Sequence, residues 1–82
     1  MDIKDWIINW FDNHTDILKN EIENGVFENY FEKGWIDSLQ FISFITELEK
    51  KFKIKFSNKE FQNRSFTTIA GITIIIEGKM NG

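Results

Sequence analysis

The chain has 82 residues, of which 28% are charged and 41% hydrophobic, with no cysteine and a formal net charge of -3. A chain this short has room for one domain, residues 1–82, and buries roughly 60 to 65% of its extended surface, which places any chemistry at the surface rather than in a large enclosed cavity. The missing cysteine excludes disulfides, thiolate catalysis and Cys-ligated metal sites, so a function that uses a thiol must import it.

The first helix is predicted to open at Asp2, whose side chain can cap free amides, with Ile3, Ile7, Trp10 and Phe11 at helical spacing, and to end near Asn13 or His14. Trp6 and Ile8 widen its stripe. His14, the sole histidine, has no partner at ligand spacing and reads as a surface or capping residue. The start, MDIKDWIINWF, lacks the basic opening of a signal peptide, and no run of 18 apolar residues exists, so the expectation is a cytoplasmic protein without membrane insertion.

From Thr15 to Gly34 periodicity fails, and Asn20, Asn24, Gly25 and Asn29 interrupt it. Ile17, Leu18 and Ile22 suit a short helical turn, and Val26, Phe27, Tyr30 and Phe31 are expected to pin a long loop to the core. The strongest helix follows: Leu39, Ile42, Ile45, Leu48 and Phe52 form its expected stripe, widened by Phe41 and Phe44. Asp37 suits its N-cap, Gln40 completes a capping box, and Lys50, Lys51 and Lys53 lie near the negative end of its dipole. The lysines of KKFKIKF are flanked by Glu47, Glu49 and Glu60, and too few cations gather there to predict nucleic-acid binding.

Ser57 or Asn58 then caps a turn that leads to Phe61 and Phe66, both expected to point inward. The final segment, TIAGITIIIEG, carries strand-prone isoleucines and a helix-weakening Gly71. A helix is predicted nonetheless, capped by Thr67 or Thr68, because Ile69, Ile72 and Ile76 share a helical face and a lone strand would leave its backbone unpaired. The expected fold is all-α: a four-helix bundle of three longer helices and one short one, with a long loop between the first and second.

Within this frame Ser38 falls at the first turn of the strongest helix, where a phosphate on its oxygen would meet free amides and the positive end of the dipole. Aspartate and serine are also ordinary helix openers. Ser38 has no G-x-S-x-G context and no nearby histidine, so hydrolytic catalysis is not predicted, and no pair of carboxylates marks an enzyme.

The run NYFEKGWIDSLQFISFITELEKKFKIKF, Asn29 to Phe56, resembles the phosphopantetheine-attachment region of acyl carrier and peptidyl carrier proteins. The matching positions are Phe31, Gly34, Trp35, Ile36, Asp37, Ser38 and Leu39, then Ile42, Ile45, Leu48, Glu49, Phe52 and Ile54. The resemblance implies an acyl-carrier-like bundle in which a phosphopantetheinyl transferase attaches 4'-phosphopantetheine from coenzyme A to Ser38, with Asp37 positioning the magnesium ion and the serine. The chain would hold an acyl or aminoacyl group as a thioester for fatty-acid or secondary-metabolite biosynthesis. As a monomer, it would serve a loading enzyme and an acceptor enzyme. Gly34, Trp35, Leu39, Gln40, Phe41 and Ser43 become candidate partner contacts, with core packing the other reading for Trp35 and Phe41.

The family's fatty-acid carriers present an acidic face after the serine, whereas Gln40, Ser43, Thr46, Glu47, Lys50 and Lys51 stand here, which points to a dedicated carrier steered weakly by charge. NKEFQNRSFTT, Asn58 to Thr68, is similar to D-alanyl carrier proteins, so carriage of D-alanine for teichoic acid is one alternative and an unmodified helical interaction module another. Phe41, Phe44, Phe61 and Phe66 are expected to fill the space in which many carriers shelter an acyl chain.

Overall fold

The computed structural model describes residues 2–81 and, among them, is all-helical. The three long helices are α1 (Ile3–His14), α3 (Ser38–Phe52) and α5 (Ile69–Asn81). Two short helices, α2 (Lys19–Asn24) and α4 (Asn58–Phe61), and a 3-10 turn at Arg64–Thr67 lie between them, where a single short helix was expected. None of the helices is long and apolar enough to cross a membrane.

Helix α1 follows its apolar spacing, with Ile7, Ile8, Trp10 and Phe11 buried and Trp6 set edge-on to Phe52. Asp2 occupies the N-cap position but its side chain makes no capping hydrogen bond, contrary to the expectation. In the segment that follows, Ile22, Val26 and Tyr30 are buried, whereas Leu18 and Phe27 are 69% and 83% exposed. Phe27 therefore does not pin the loop. Tyr30 does: its hydroxyl donates to the Phe66 carbonyl oxygen at 2.6 Å and its amide donates to the Thr67 carbonyl oxygen at 3.0 Å. Burial pushes the phenol above its ordinary range, so it stays a donor.

Tyr30→Phe leaves that buried carbonyl without its donor and is expected to cost about 1–3 kcal/mol. Urea unfolding checks this, and an unchanged midpoint would show that the bond is replaced by solvent.

The apolar face of α3 differs from the expected one. Phe44, Ile45 and Leu48 are buried and Phe41 and Phe52 pack against them, while Leu39 and Ile42 are 77% and 61% exposed. The spacing explains the correction. Steps of three residues, as in 39–42–45–48, drift by roughly 60° each around a helix, whereas 41–44–45–48–52 stays on one side. The aromatic set also meets Trp10, Phe11 and Tyr30 at ring separations of 4.8–6.1 Å through Phe44.

Helix α3 stops at Lys53, which takes a left-handed conformation at φ 55°. Ser57 and Glu60 form a reciprocal capping box that starts α4. Phe66 is buried as expected, but Phe61 remains 40% exposed at the rim. Helix α5 forms despite its isoleucines: Thr68 Oγ1 accepts from the Gly71 amide at 2.9 Å, and Ile69, Ile72 and Ile76 are fully buried. Lys79 donates to both Glu60 oxygens at 2.9 and 3.1 Å, which ties α5 to α4 and holds the Glu60 carboxyl below its usual range.

Candidate functional site

The approach to α3 is built from local rules. Gly34 sits at φ +73°, a left-handed position that glycine takes without strain, and nothing lies within 4 Å of where its side chain would begin. Its amide donates to the Phe31 carbonyl, and the Trp35 amide donates to that of Tyr30. Trp35 and Ile36 are then buried, so the chain is anchored immediately before Asp37 and Ser38 emerge. Trp35 packs against Phe11 and lies so close to Gly25 that a methyl group there would come within 2.6 Å of its ring. It is part of the core and not a contact surface.

Asp37 caps the helix. Its Oδ1 accepts from the Gln40 amide at 2.8 Å, and the Gln40 side chain accepts from the Asp37 amide at 3.0 Å. This box leaves the amides of Ser38 and Leu39 without partners among the described residues. Ser38, the first helical residue, is exposed, so its hydroxyl stands in solvent at the positive end of a fifteen-residue helix. That oxygen, those two amides and the dipole suit a phosphoester. Asp37→Ala is expected to lower stability by about 1 kcal/mol and Asp37→Asn by much less, since asparagine also caps. Paired thermal melts check the difference, and equal losses would show that the carboxylate charge matters more than the cap.

Leu39, Ile42, Ser43 and Thr46 continue the exposed face beyond Ser38 without a charge, and the lysines lie at the far end of the helix. Gln40 is partly covered by its capping role and by a long 3.5 Å contact to the His14 carbonyl oxygen. Phe41 is half-buried, its ring 5.0 Å from Phe31 and 6.0 Å from Phe66, so the structure gives it a core role. His14 donates to the Trp10 carbonyl oxygen at 2.8 Å and stacks on the Trp10 ring at 4.2 Å, which makes it the capping histidine expected. Among the described residues no cluster of metal-ligating side chains forms.

One local arrangement had no signal in single-element spacing. The Trp10 indole N–H donates to Glu47 at 2.8 Å, across the seam between α1 and α3. Only the packing of the two helices brings these residues together.

Residues 15–73 match the family model for the phosphopantetheine attachment site. The chain is also 34% identical over 79 residues to the acyl carrier protein homolog of Mycoplasmopsis pulmonis (strain UAB CTIP), covering 96% of this chain and 97% of that relative. It belongs to the acyl carrier protein family. Acyl carrier proteins are carriers without catalysis of their own, and the matched region is where 4'-phosphopantetheine is covalently attached. The absence of cysteine from this acyl carrier protein is consistent with that chemistry, because the prosthetic group brings the thiol. No solved structure matches significantly.

Proposed function

We propose that Ser38 holds the 4'-phosphopantetheine and that the chain presents an acyl or aminoacyl thioester to partner biosynthetic enzymes, working as a single-domain monomer in the cytoplasm. The observation that supports this most is the exposed hydroxyl at the first position of α3, beside two unpartnered amides. In the loading step the serine oxygen forms a bond to the phosphorus that bears the pantetheine. The diphosphate bond of coenzyme A breaks, adenosine 3',5'-bisphosphate leaves, and the serine proton passes to a base of the transferase. Asp37 helps position the magnesium ion in that complex. The open space around Gly34 lets the transferase approach.

Leu39 and Ile42 form an exposed apolar pair next to the attachment point, and with Ser43 and Gln40 they make the contact face for loading and acceptor enzymes. A neutral face of this kind gives little charge steering, which favours a dedicated carrier. Phe44 and Phe66 occupy the interior, half-buried Phe41 packs against them and Phe61 lies at the rim with its ring 4.9 Å from that of Phe66, which favours a short or polar cargo held outside. D-alanine is a cargo of that kind.

Treatment with coenzyme A, magnesium and a broad-specificity phosphopantetheinyl transferase is expected to add one phosphopantetheine to the intact mass, with the modified fragment mapping to Ser38. No gain across several transferases would favour an unmodified interaction module instead.

A further inference from the structure

The seam between α1 and α3 is open along much of its length. One groove, about 200 Å³ in volume, is lined by Trp10, His14, Leu39, Gln40 and Ser43. It shares Trp10 and His14 with a second groove of about 300 Å³ that continues to Trp6, Asn9, Asn13 and Glu47. The path thus begins one residue beyond Ser38 and extends to Glu47, about 12 Å further along the α3 axis.

We propose that this seam is the resting bed of the prosthetic arm, an inference that depends on the arm being attached at Ser38. Pantetheine is a chain of amides separated by methylenes, with a dimethyl-substituted carbon near its phosphate end. The lining repeats that alternation. Leu39 offers apolar surface at the end nearest Ser38, the Trp10 ring continues it towards Glu47, and the carboxamides of Asn13 and Asn9 offer donors and acceptors further along the path. The wall is also held in place, since Glu47 fixes the Trp10 indole from one side and His14 stacks on its ring.

The aromatic rings of Tyr30, Phe31, Phe41, Phe61 and Phe66 pack against one another at separations of 4.9–6.5 Å, and none of them lines either groove. A tether raises the effective concentration of the arm at its own helix, so modest contacts suffice to hold it between encounters.

The test uses uniformly ¹³C,¹⁵N-labelled full chain carrying an unlabelled arm installed by a transferase. Intact mass establishes loading first, so a failure to attach the arm is separated from a failure of the arm to lie in the seam. In the loaded protein, isotope-filtered NOE spectra are expected to connect the dimethyl protons of the arm to the Trp10 ring and the Leu39 methyl groups. Asn13→Phe fills the seam from an exposed position on α1, outside the proposed contact face. It is expected to keep the mass gain and lose the Trp10 cross-peaks. Cross-peaks absent from the loaded wild type, directed to Phe61 or Arg64 instead, or unchanged in Asn13→Phe would overturn the inference.

Discussion

Ser38→Ala is expected to abolish the phosphopantetheine mass gain completely while leaving the fold intact. Residue 38 is exposed and its helix is capped by Asp37 and Gln40, not by the serine hydroxyl, so the substitution removes one solvated oxygen from a position where alanine is a good helix former. Stability should stay within about 0.5 kcal/mol of the wild type, as at other exposed sites without special contacts. Loss of modification therefore cannot be blamed on unfolding. The other serines are poor substitutes. Ser43 sits mid-helix, the Ser57 hydroxyl is engaged with Glu60, and Ser65 lies in the 3-10 turn before α5. Any mass gain retained by Ser38→Ala, read by intact-mass spectrometry beside a thermal melt, would move the attachment point and remove the basis of the proposed function.

Gly71→Ala is expected to give a large loss of stability. A methyl group at position 71 would stand 2.0 Å from the Ser65 carbonyl oxygen and 2.7 Å from its carbonyl carbon. Those are backbone atoms, and the turn that carries them is held by the buried Phe66 ring and by the Tyr30 hydroxyl on the Phe66 carbonyl oxygen. Relief requires the turn to move away from α5. Alanine gains about 0.5–1 kcal/mol as a helix former over glycine. Against that stand roughly 1–3 kcal/mol or more for overpacking, with the upper end expected because backbone must shift. A net loss of about 2 kcal/mol corresponds to a fall in Tm of roughly 8–16 °C for a domain of this size. A melt at or above the wild-type temperature would show that the turn yields freely.

The contrast between these two glycine and serine positions shows which features a sequence reveals. Position 38 was legible because a helix start is set by neighbours: Asp37 and Gln40, three residues apart, close their box without help from the rest of the fold. The helical state of α5 followed from the absence of a partner strand, even though its isoleucines favour the extended form.

Gly71 reads from sequence only as a weak point in a helix. Its reason for being there is a carbonyl six residues earlier, brought back by a 3-10 turn that apolar periodicity does not encode. Leu39 and Ile42 were misplaced on the buried stripe of α3 because an every-third-residue pattern resembles a helical stripe over two turns and departs from it over four. The exposure of Phe27 and the left-handed Lys53 carry no local signature either. The seam of Trp10, His14 and Glu47 depends on how α1 meets α3, so spacing within either helix could not disclose it.

The edge-on and tilted phenylalanines of the bundle bear on how a loaded molecule would be told from an empty one. A ligand changes the melting behaviour of a protein only to the extent that the folded state grips it. With Phe44 and Phe66 already filling the interior, the proposed function implies that the same native packing would persist whatever hung from the tether. Loading status would then not be written into the bundle, and a receiving enzyme would have to inspect the passenger itself.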